Sequence, residues 1–350
     1  MRGASHLKSG VVIADGEKYA IIAVSRLPLD AFNLPDAEEL TSGLWFAQRI
    51  PFSLEQHWRD WIGTVRSDQI RGAQLILVAK AASTAPDVLD EENQRLLALV
   101  GRLYQGLLLA GSVWVEGDVV QITGSNCGGT ISVRQINNVT APANTHYGHA
   151  SLIDIEGLRL AAQLVPVLNG FPAGKYLRLC RVLNAFFSGI QEPDLRERLH
   201  QFTRCIEGLI FADAGQTTRQ FKSRTELFVG PRQHDLMGAL YVNRSAAEHM
   251  NDPVLTARDE AQRRAEYLEL VVIAESIARG CLNRILLNLT LLPRFEDEAA
   301  AASFWSLSET ERRSLWGDSM DIDRMRAELR RHARWPSSPP GKIRPNERSM

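Results

Sequence analysis

The hydrophobic pattern of the 350-residue chain changes near residue 151, and this change limits the folds that the chain can adopt. Residues 1–150 combine short apolar runs typical of strands with one long run of helical spacing, 90–109. From residue 151 onward almost every apolar run has the spacing of an amphipathic helix, about 3.6 residues. The pattern therefore predicts an α+β N-terminal domain followed by an all-α helical bundle, and the length suits two domains.

Four regions are expected. The N-terminal domain, 1–150, has a fold that the pattern does not identify, and it could act as a sensor or regulatory domain. The bundle covers 151–295, and further helices occupy 296–334. The tail, 335–350, contains four prolines together with serines and charged residues, so it is expected to be disordered.

Within the N-terminal domain, turn residues separate the expected strands. These strands are 11–14, 19–24, 74–79, 112–115, 119–122 and 130–133. The Gly128-Gly129 pair lacks the further glycines and lysine of a phosphate-binding loop, so it is expected to turn a hairpin.

Proline and glycine breaks divide the second half of the chain into helices. The expected helices are 154–165, 177–190, 194–211, 219–228, 236–249, 252–291, 309–316 and 321–332. Pro166 is expected to end the first of them. Asp252 is expected to cap the longest one, with Pro253 at its first position.

The charge balance excludes a global positive field, because the formal net charge is -1. Binding of nucleic acid would therefore need a local basic patch. The chain has 40 Lys and Arg, of which six are lysines, so arginines dominate. A GC-rich coding genome explains this bias, and phosphate recognition is the alternative.

The four cysteines lie far apart, without a CxxC pair or a Cys/His cluster at zinc spacing. No metal and no cofactor are expected from the sequence. The N-terminus has no signal-peptide pattern, and the run 19–24 is too short to cross a membrane. No membrane association is expected, and the cytoplasm is the expected location.

Arg244 and His249 are the residues that most directly suggest chemistry. A guanidinium binds phosphate through a planar fork of donors, and an imidazole exchanges a proton near neutral pH. The spacing alone is not distinctive, since about two such Arg and His pairs are expected by chance in this composition. A second pair, Arg326 and His332, lies in a charged segment whose solvated face explains it. Arg244 and His249 lie among apolar helices, where a charge needs a partner or a function.

Two interpretations of this pair stay open. Residues five apart on an ideal helix point about 140° apart, so Arg244 and His249 do not share a face. Either the helix loosens before Asn251, or the side chains meet across a subunit interface. In the structural alternative, Arg244 pairs with a carboxylate such as Glu207 or Glu248, and His249 merely caps the helix.

Three segments together carry a resemblance to a known family. They are Leu240-Tyr241-x-x-Arg244-Ser245-x-x-x-His249, the Arg-rich run 175–186, and the run 204–210 followed by Phe221-Lys222-x-Arg224. They resemble the motif helix and the upstream helices of HEPN domains, particularly the Apea-like HEPN group. The resemblance covers roughly residues 151–291. Ser245 departs from the Asn, His or Asp that many HEPN nucleases have at this position.

The resemblance implies a metal-independent endoribonuclease that acts as a homodimer, often as a toxin or a phage-defence effector. His249 would then be the general acid and base, and Arg244 would hold the scissile phosphate. The 2′-OH would attack, leaving a 2′,3′-cyclic phosphate and a 5′-OH end. The family also contains modules without catalysis that bind RNA or protein.

The resemblance further implies supporting roles for several residues. Asn243 and Ser245 would orient the reacting groups, and Glu207 would be the partner of Arg244. Arg204 and Arg224 would bind RNA. Besides RNA and a second copy of the chain, the expected partners are an antitoxin or a trigger ligand at the N-terminal domain.

Overall fold

The computed structural model of the protein describes residues 11–25, 34–113, 115, 117–143, 153–171, 174–213, 215–256 and 259–332. The N-terminal part contains the strands β1 (Glu17–Ser25), β2 (Ala37–Thr41), β3 (Leu44–Ala47), β4 (Ala73–Ala82), β5 (Val119–Cys127) and β6 (Thr130–Val139). Its helices are α1 (Gln56–Ile62), α2 (Thr64–Arg71) and α3 (Glu91–Ala110). Within these ranges the strands form an antiparallel sheet in the order β2-β3-β4-β1-β5-β6.

The central strand β1 is apolar from Tyr19 to Val24 because both of its faces are covered. Ala20, Ile22 and Val24 face the core that contains α3, while Tyr19 and Ile21 face a second apolar cluster. Side chains of α1 and α2 contribute to this second cluster. Successive strand residues point to opposite faces, so a strand buried on both sides appears in the sequence as a continuous hydrophobic run.

The predicted β5–β6 hairpin is confirmed. Cys127 pairs with Thr130, and between them Gly128 and Gly129 have φ of 61° and 78°. Two consecutive positive φ values are the requirement of the tight turn that matches the twist of a hairpin. Both strands extend beyond the predicted bounds, because polar pairs such as Ser125 with Ser132 continue the ladder.

Two predicted strands in this domain were wrong. Residues 11–14 and Ser112-Val113 lie outside the sheet. Val11 and Ile13 are buried against the second cluster, which explains their strand-like pattern. Two carbonyls of this segment accept from side chains instead of a neighbouring strand: Lys80 donates to that of Val12 (2.7 Å) and Asn126 to that of Ile13 (2.8 Å). The elements β2, β3, α1 and α2 were not predicted.

The second part of the chain is helical, as predicted. It contains α4 (Ile155–Asn169), α5 (Leu177–Gln191), α6 (Leu195–Ile210), α7 (Thr217–Val229), α8 (His234–Glu248), α9 (Glu260–Leu287), a 3-10 turn (Leu292–Phe295), α10 (Glu298–Ser306), α11 (Glu309–Trp316) and α12 (Ile322–His332). The predicted disordered tail, 335–350, lies outside the described residues. No helix in the described ranges is long and apolar enough to cross a membrane.

Pro166 does not end α4, which continues to Asn169. The proline lies in the last turn, so it removes only one main-chain donor from the helix. Leu164, Val165 and Leu168 are buried around it, and their packing keeps this last turn helical. The prediction overlooked that buried apolar side chains beyond a proline can offset the main-chain hydrogen bond that the proline removes.

The predicted start of the longest helix was also wrong. Asp252 does not cap it; α9 begins at Glu260, where the carboxylate of Asp259 accepts from the N–H of Gln262 at 3.0 Å. The segment before it follows a path set by Asn243, whose side chain bonds both main-chain groups of Val254. The helix ends at Leu287 rather than at residue 291.

The two halves of the chain share one apolar core. Gly106 of α3 lies so close to α4 that an added Cβ would be 2.5 Å from the carbonyl oxygen of Ala161. From α9, Arg279 and Asn283 donate to the carbonyls of Leu108 and Leu109, at 3.3 and 2.8 Å. The apolar cluster therefore continues across residue 150 from the sheet into the bundle.

A buried ion triple lies inside the bundle. Glu275 of α9 is 3% exposed and accepts from Arg279 (2.6 Å) and from Arg198 of α6 (3.2 Å). Burial alone would raise the pKa of this carboxyl, but Arg279 and Arg198 hold the pKa below its usual value. Two guanidiniums thus keep Glu275 ionised in the core.

Candidate functional site

Arg244 lies on the last turns of α8, at the edge of a buried stripe formed by Met237, Leu240 and Asn243. Its guanidinium is 3.0 Å from Glu207 of α6, and it also pairs with Glu248 one turn further along α8. The expected pair with Glu207 is therefore present. The Arg244 Nε is buried, without a hydrogen-bond partner among the described residues.

His249 is the first residue after α8, and its side chain is exposed. Its main-chain N–H donates to the carbonyl of Ser245 at 3.1 Å. Met250 then adopts a left-handed conformation (φ 56°), and the N–H groups of Met250 and Asn251 bond Ala247 and Ala246. This is a Schellman ending, so α8 stays regular up to its last residue instead of loosening before Asn251. Arg244 and His249 keep the angular separation of a regular helix.

The two predicted orienting residues occupy different environments. Asn243 is 1% exposed; its amide donates to the carbonyls of Ala239 and Val254, both at 3.0 Å, and its oxygen accepts from the N–H of Val254 at 2.9 Å. It therefore fixes the chain that follows α8. Ser245 is half-buried, next to Arg244 in the sequence.

An open cleft of about 440 Å³ lies beside Arg244, between α6 and α8. Glu197, His200 and Arg204 of α6 line one side. Arg244, Ala247, Glu248 and Met250 line the other, whereas His249 is not among the lining residues. Within one chain, the imidazole next to Arg244 is therefore that of His200, whose Nδ1 is 3.4 Å from the carbonyl oxygen of Arg244.

His200 was not singled out from the sequence, although a signal for it exists. Glu197, His200, Arg204 and Glu207 follow one another at steps of three or four residues, which places them on one face of α6. That face meets the motif helix, as the pair of Glu207 with Arg244 shows. Because α6 packs against α8, any polar residue on this stripe is a candidate for the site beside Arg244.

Arg204 supplies uncompensated positive charge to the cleft. Its side chain is exposed, and within the described ranges no carboxylate lies within 4.0 Å of it. Arg244, by contrast, is already flanked by Glu207 and Glu248. For an anion in the cleft, Arg204 is a donor that is unpaired among the described residues, whereas Arg244 is shared with Glu207 and Glu248.

The structure does not bring Arg224 to this cleft. Its guanidinium donates to the carbonyls of Ile210 (3.0 Å) and Phe211 at the end of α6. It also lies over the ring of Trp305, 5.4 Å from the centroid. Burial lowers the pKa of Arg224, Asp213 opposes this effect, and the neighbouring Arg312 adds to it. Arg224 thus caps α6 and lines a different cleft.

Across the described part of the chain, no three His, Cys, Asp or Glu side chains come together in a way that could hold a metal ion. A comparison with models of known protein families finds no match for the chain, and comparisons with curated proteins and with solved structures find none either. The resemblance to HEPN domains therefore stays a prediction from the motif residues.

Proposed function

We propose that the protein is a metal-independent endoribonuclease of the HEPN type, with Arg244 and His249 as its catalytic residues. The observation that carries the proposal is the end of α8. There, Arg244 borders an open cleft of about 440 Å³, and His249 follows as an exposed side chain. A phosphate-binding group and a proton-exchanging group are thus both present at the exposed end of one helix, although they do not share a face of it.

The proposed reaction is an internal transfer at phosphorus. His249 accepts the proton of the 2′-OH, the 2′-oxygen bonds to phosphorus, and the bond to the 5′-oxygen breaks. The leaving 5′-oxygen takes up a proton, and a 2′,3′-cyclic phosphate remains on the other product. Arg244 balances the charge that grows on the phosphoryl oxygens in the transition state. DNA lacks the attacking hydroxyl and is not a substrate for this route.

The geometry of a single chain favours a site shared by two copies. Arg244 faces the cleft between α6 and α8, whereas His249 lies beyond the regular end of α8 and outside the cleft lining. Two copies that place their α8 ends together would bring the His249 of one copy to the Arg244 of the other. A homodimer with two equivalent sites has the required symmetry.

Cleavage of RNA in the presence of EDTA is the direct test. The full chain should cut single-stranded RNA without added metal and leave cyclic phosphate ends, and a 2′-O-methylated RNA should stay intact. His249→Ala and Arg244→Ala should abolish cleavage while circular dichroism shows an unchanged fold. The exposed residues His57 and Arg95 offer matched controls, since H57A and R95A should cut as fast as the wild type.

Cleavage that requires Mg²⁺, or that persists in both catalytic variants, would rule the proposal out. The resemblance also supports a role as a toxin or phage-defence effector. Expression in a bacterial host should then halt growth with the wild-type chain but not with His249→Ala.

A non-catalytic HEPN module that binds RNA or protein is the second candidate, and one observation favours it. The guanidinium of Arg244 is held by Glu207 and Glu248, as expected for a structural ion pair between α6 and α8. This function predicts no cleavage under any condition and a lower unfolding midpoint for Arg244→Ala. Any RNA binding would weaken steeply with salt.

A further inference from the structure

A second cleft, of about 560 Å³, lies between α7 and the α10–α11 region. Four guanidiniums face it, namely those of Arg219 and Arg224 from α7 and those of Arg312 and Arg313 from α11. It shares no lining residue with the cleft beside Arg244. The proposed ribonuclease mechanism uses none of these arginines.

The positive charge of this second cleft is only partly neutralised by the protein. Glu309 pairs with Arg313 at 2.8 Å, and Asp213 is 3.5 Å from Arg224. Glu226, the other acid at the cleft, pairs with His234. In the described part of the chain, Arg219 and Arg312 have no carboxylate within 4.0 Å. The cleft therefore carries excess positive charge at its wall.

Two of the guanidiniums are held rigidly, so their positions do not depend on a ligand. Arg312 donates to the carbonyls of Trp305 (2.9 Å) and Leu307, as Arg224 does to Ile210 and Phe211. Both also lie over the ring of Trp305, with centroid distances of 5.8 and 5.4 Å. Like charges held near the same ring repel each other, and an anion bound in the cleft offsets this repulsion.

We propose that this cleft binds the phosphate group of a small phosphorylated molecule of about nucleotide size. Guanidiniums recognise phosphate oxygens through paired, charge-assisted hydrogen bonds. The volume lies within the range of small-molecule sites, roughly 300 to 1,000 Å³. In addition, α7 begins at Thr217 with no acidic residue in its first turn and no side-chain cap, so its N-terminal N–H groups add positive potential beside Gln216.

A small ligand fits these observations better than a nucleic acid strand. The formal net charge of the chain is -1, and the arginines border a recess instead of a long basic track. Trp305 is only 7% exposed and is covered by arginines, so its ring offers no platform for stacking a base. Recognition should therefore centre on the phosphate and discriminate weakly among bases.

Isothermal titration of the full chain, at constant ionic strength, tests the proposal with three probes. They are adenosine 5′-monophosphate, ribose 5-phosphate and adenosine, and the two phosphate esters should bind saturably while adenosine should not. Arg219→Ala removes an exposed guanidinium that has no hydrogen bond or ion pair among the described residues, so it should weaken the binding of both esters. The expected loss is about tenfold, the size of one charge-assisted contact. Arg95→Ala, an equal loss of charge on α3, should leave the affinity unchanged.

Three outcomes would overturn the proposal. The first is no saturable binding of either ester at millimolar concentration, and the second is equal weakening by Arg219→Ala and Arg95→Ala, which would indicate a general charge effect. The third is tighter binding of a short single-stranded oligodeoxynucleotide, lost in Arg219→Ala, which would assign the cleft to a nucleic acid path. None of these measurements depends on RNA cleavage, so they stand apart from the ribonuclease proposal.

Discussion

Arg244 of α8 and Glu207 of α6 form an ion pair with 3.0 Å between Nη2 and Oε2, and both side chains keep some exposure to solvent. The pair joins the motif helix to the stripe of α6 that carries His200 and Arg204. Glu248 pairs with Nη1, the other terminal nitrogen of the same guanidinium. A phosphate that binds both Nη atoms of Arg244 competes with these two carboxylates, and Glu248 is the more exposed of the two.

Removal of Glu248 should raise the proposed ribonuclease activity. An exposed ion pair contributes roughly 0.5 to 1 kcal/mol, so freeing Nη1 of Arg244 should speed cleavage about two- to fivefold in Glu248→Ala. Initial rates on a fluorescent RNA in EDTA measure the effect. Glu91→Ala, the loss of an exposed carboxylate on α3, is the control for net charge. Unchanged or slower cleavage in Glu248→Ala would contradict the view that Glu248 competes with the phosphate.

A site shared by two copies predicts complementation between inactive variants. In a heterodimer of Arg244→Ala and His249→Ala, one of the two sites has both wild-type groups. Random exchange of subunits should then restore about a quarter of the wild-type rate, since half of the dimers are mixed and each has one intact site. The measurement is RNA cleavage after co-refolding of equal amounts. Complete inactivity of the mixture would place Arg244 and His249 of one site in the same chain.

Asn243 should matter for stability rather than for chemistry. Its side chain satisfies both main-chain groups of Val254, and it is buried. Asn243→Ala leaves these groups without partners, which should lower the free energy of unfolding by about 1 to 3 kcal/mol. Urea denaturation measures this loss, with the exposed Asn138→Ala as the control. A loss of cleavage with unchanged stability would instead assign Asn243 to the reaction.

Local signals predicted some elements well. The predicted range of α11, 309–316, agrees with the structure, in which the determinants are local: Ser308 and Glu311 form a capping box, and Gly317 ends the helix. The start of α9 was missed because its determinant is not local. The Asp252-Pro253 signal is overridden by hydrogen bonds from Asn243, eleven residues before Val254. A pattern along the chain does not contain such a contact.

The same distinction, between local signals and contacts from elsewhere in the chain, applies to the residues of the candidate site. Arg244 and His249 were proposed from residue type, from their position among apolar helices and from the resemblance, and Glu207 was proposed because a buried guanidinium needs a carboxylate. His200 and the arginine cleft around Trp305 required knowledge of which helices are neighbours. Arg224, expected beside the motif, instead caps α6, because its guanidinium reaches the carbonyls of Ile210 and Phe211.

The ion triple around Glu275 should give the protein an acid-sensitive core. Because the folded pKa of this carboxyl is below its ordinary value of 4.5, its contribution to stability is present above that value. It is lost as the pH falls through the folded pKa. Glu275→Gln removes the carboxylate charge that faces two buried guanidiniums and should cost about 3 to 5 kcal/mol at neutral pH.

The measurement is urea denaturation as a function of pH. The stability difference between the wild type and Glu275→Gln should shrink as the pH drops below the ordinary carboxyl pKa, because the wild-type side chain then becomes protonated. The exposed Glu91→Gln serves as the control and should show a small, pH-independent difference. A constant deficit of Glu275→Gln down to acid pH would argue against an ionised Glu275.

Two glycines of α3 allow a matched pair of alanine substitutions, because Gly106 lies against the main chain of α4 and Gly101 does not. In Gly106→Ala the new Cβ would lie 2.5 Å from the carbonyl oxygen of Ala161, so the helices must separate. Overpacking of this kind costs about 1 to 3 kcal/mol. In Gly101→Ala the nearest atom is the Gln121 side-chain nitrogen at 3.9 Å, an ordinary contact. That variant should gain up to about 1 kcal/mol from helix propensity. Thermal unfolding of both variants should therefore move in opposite directions, and a stabilised Gly106→Ala would mean that the sheet domain and the bundle do not meet at α3 and α4.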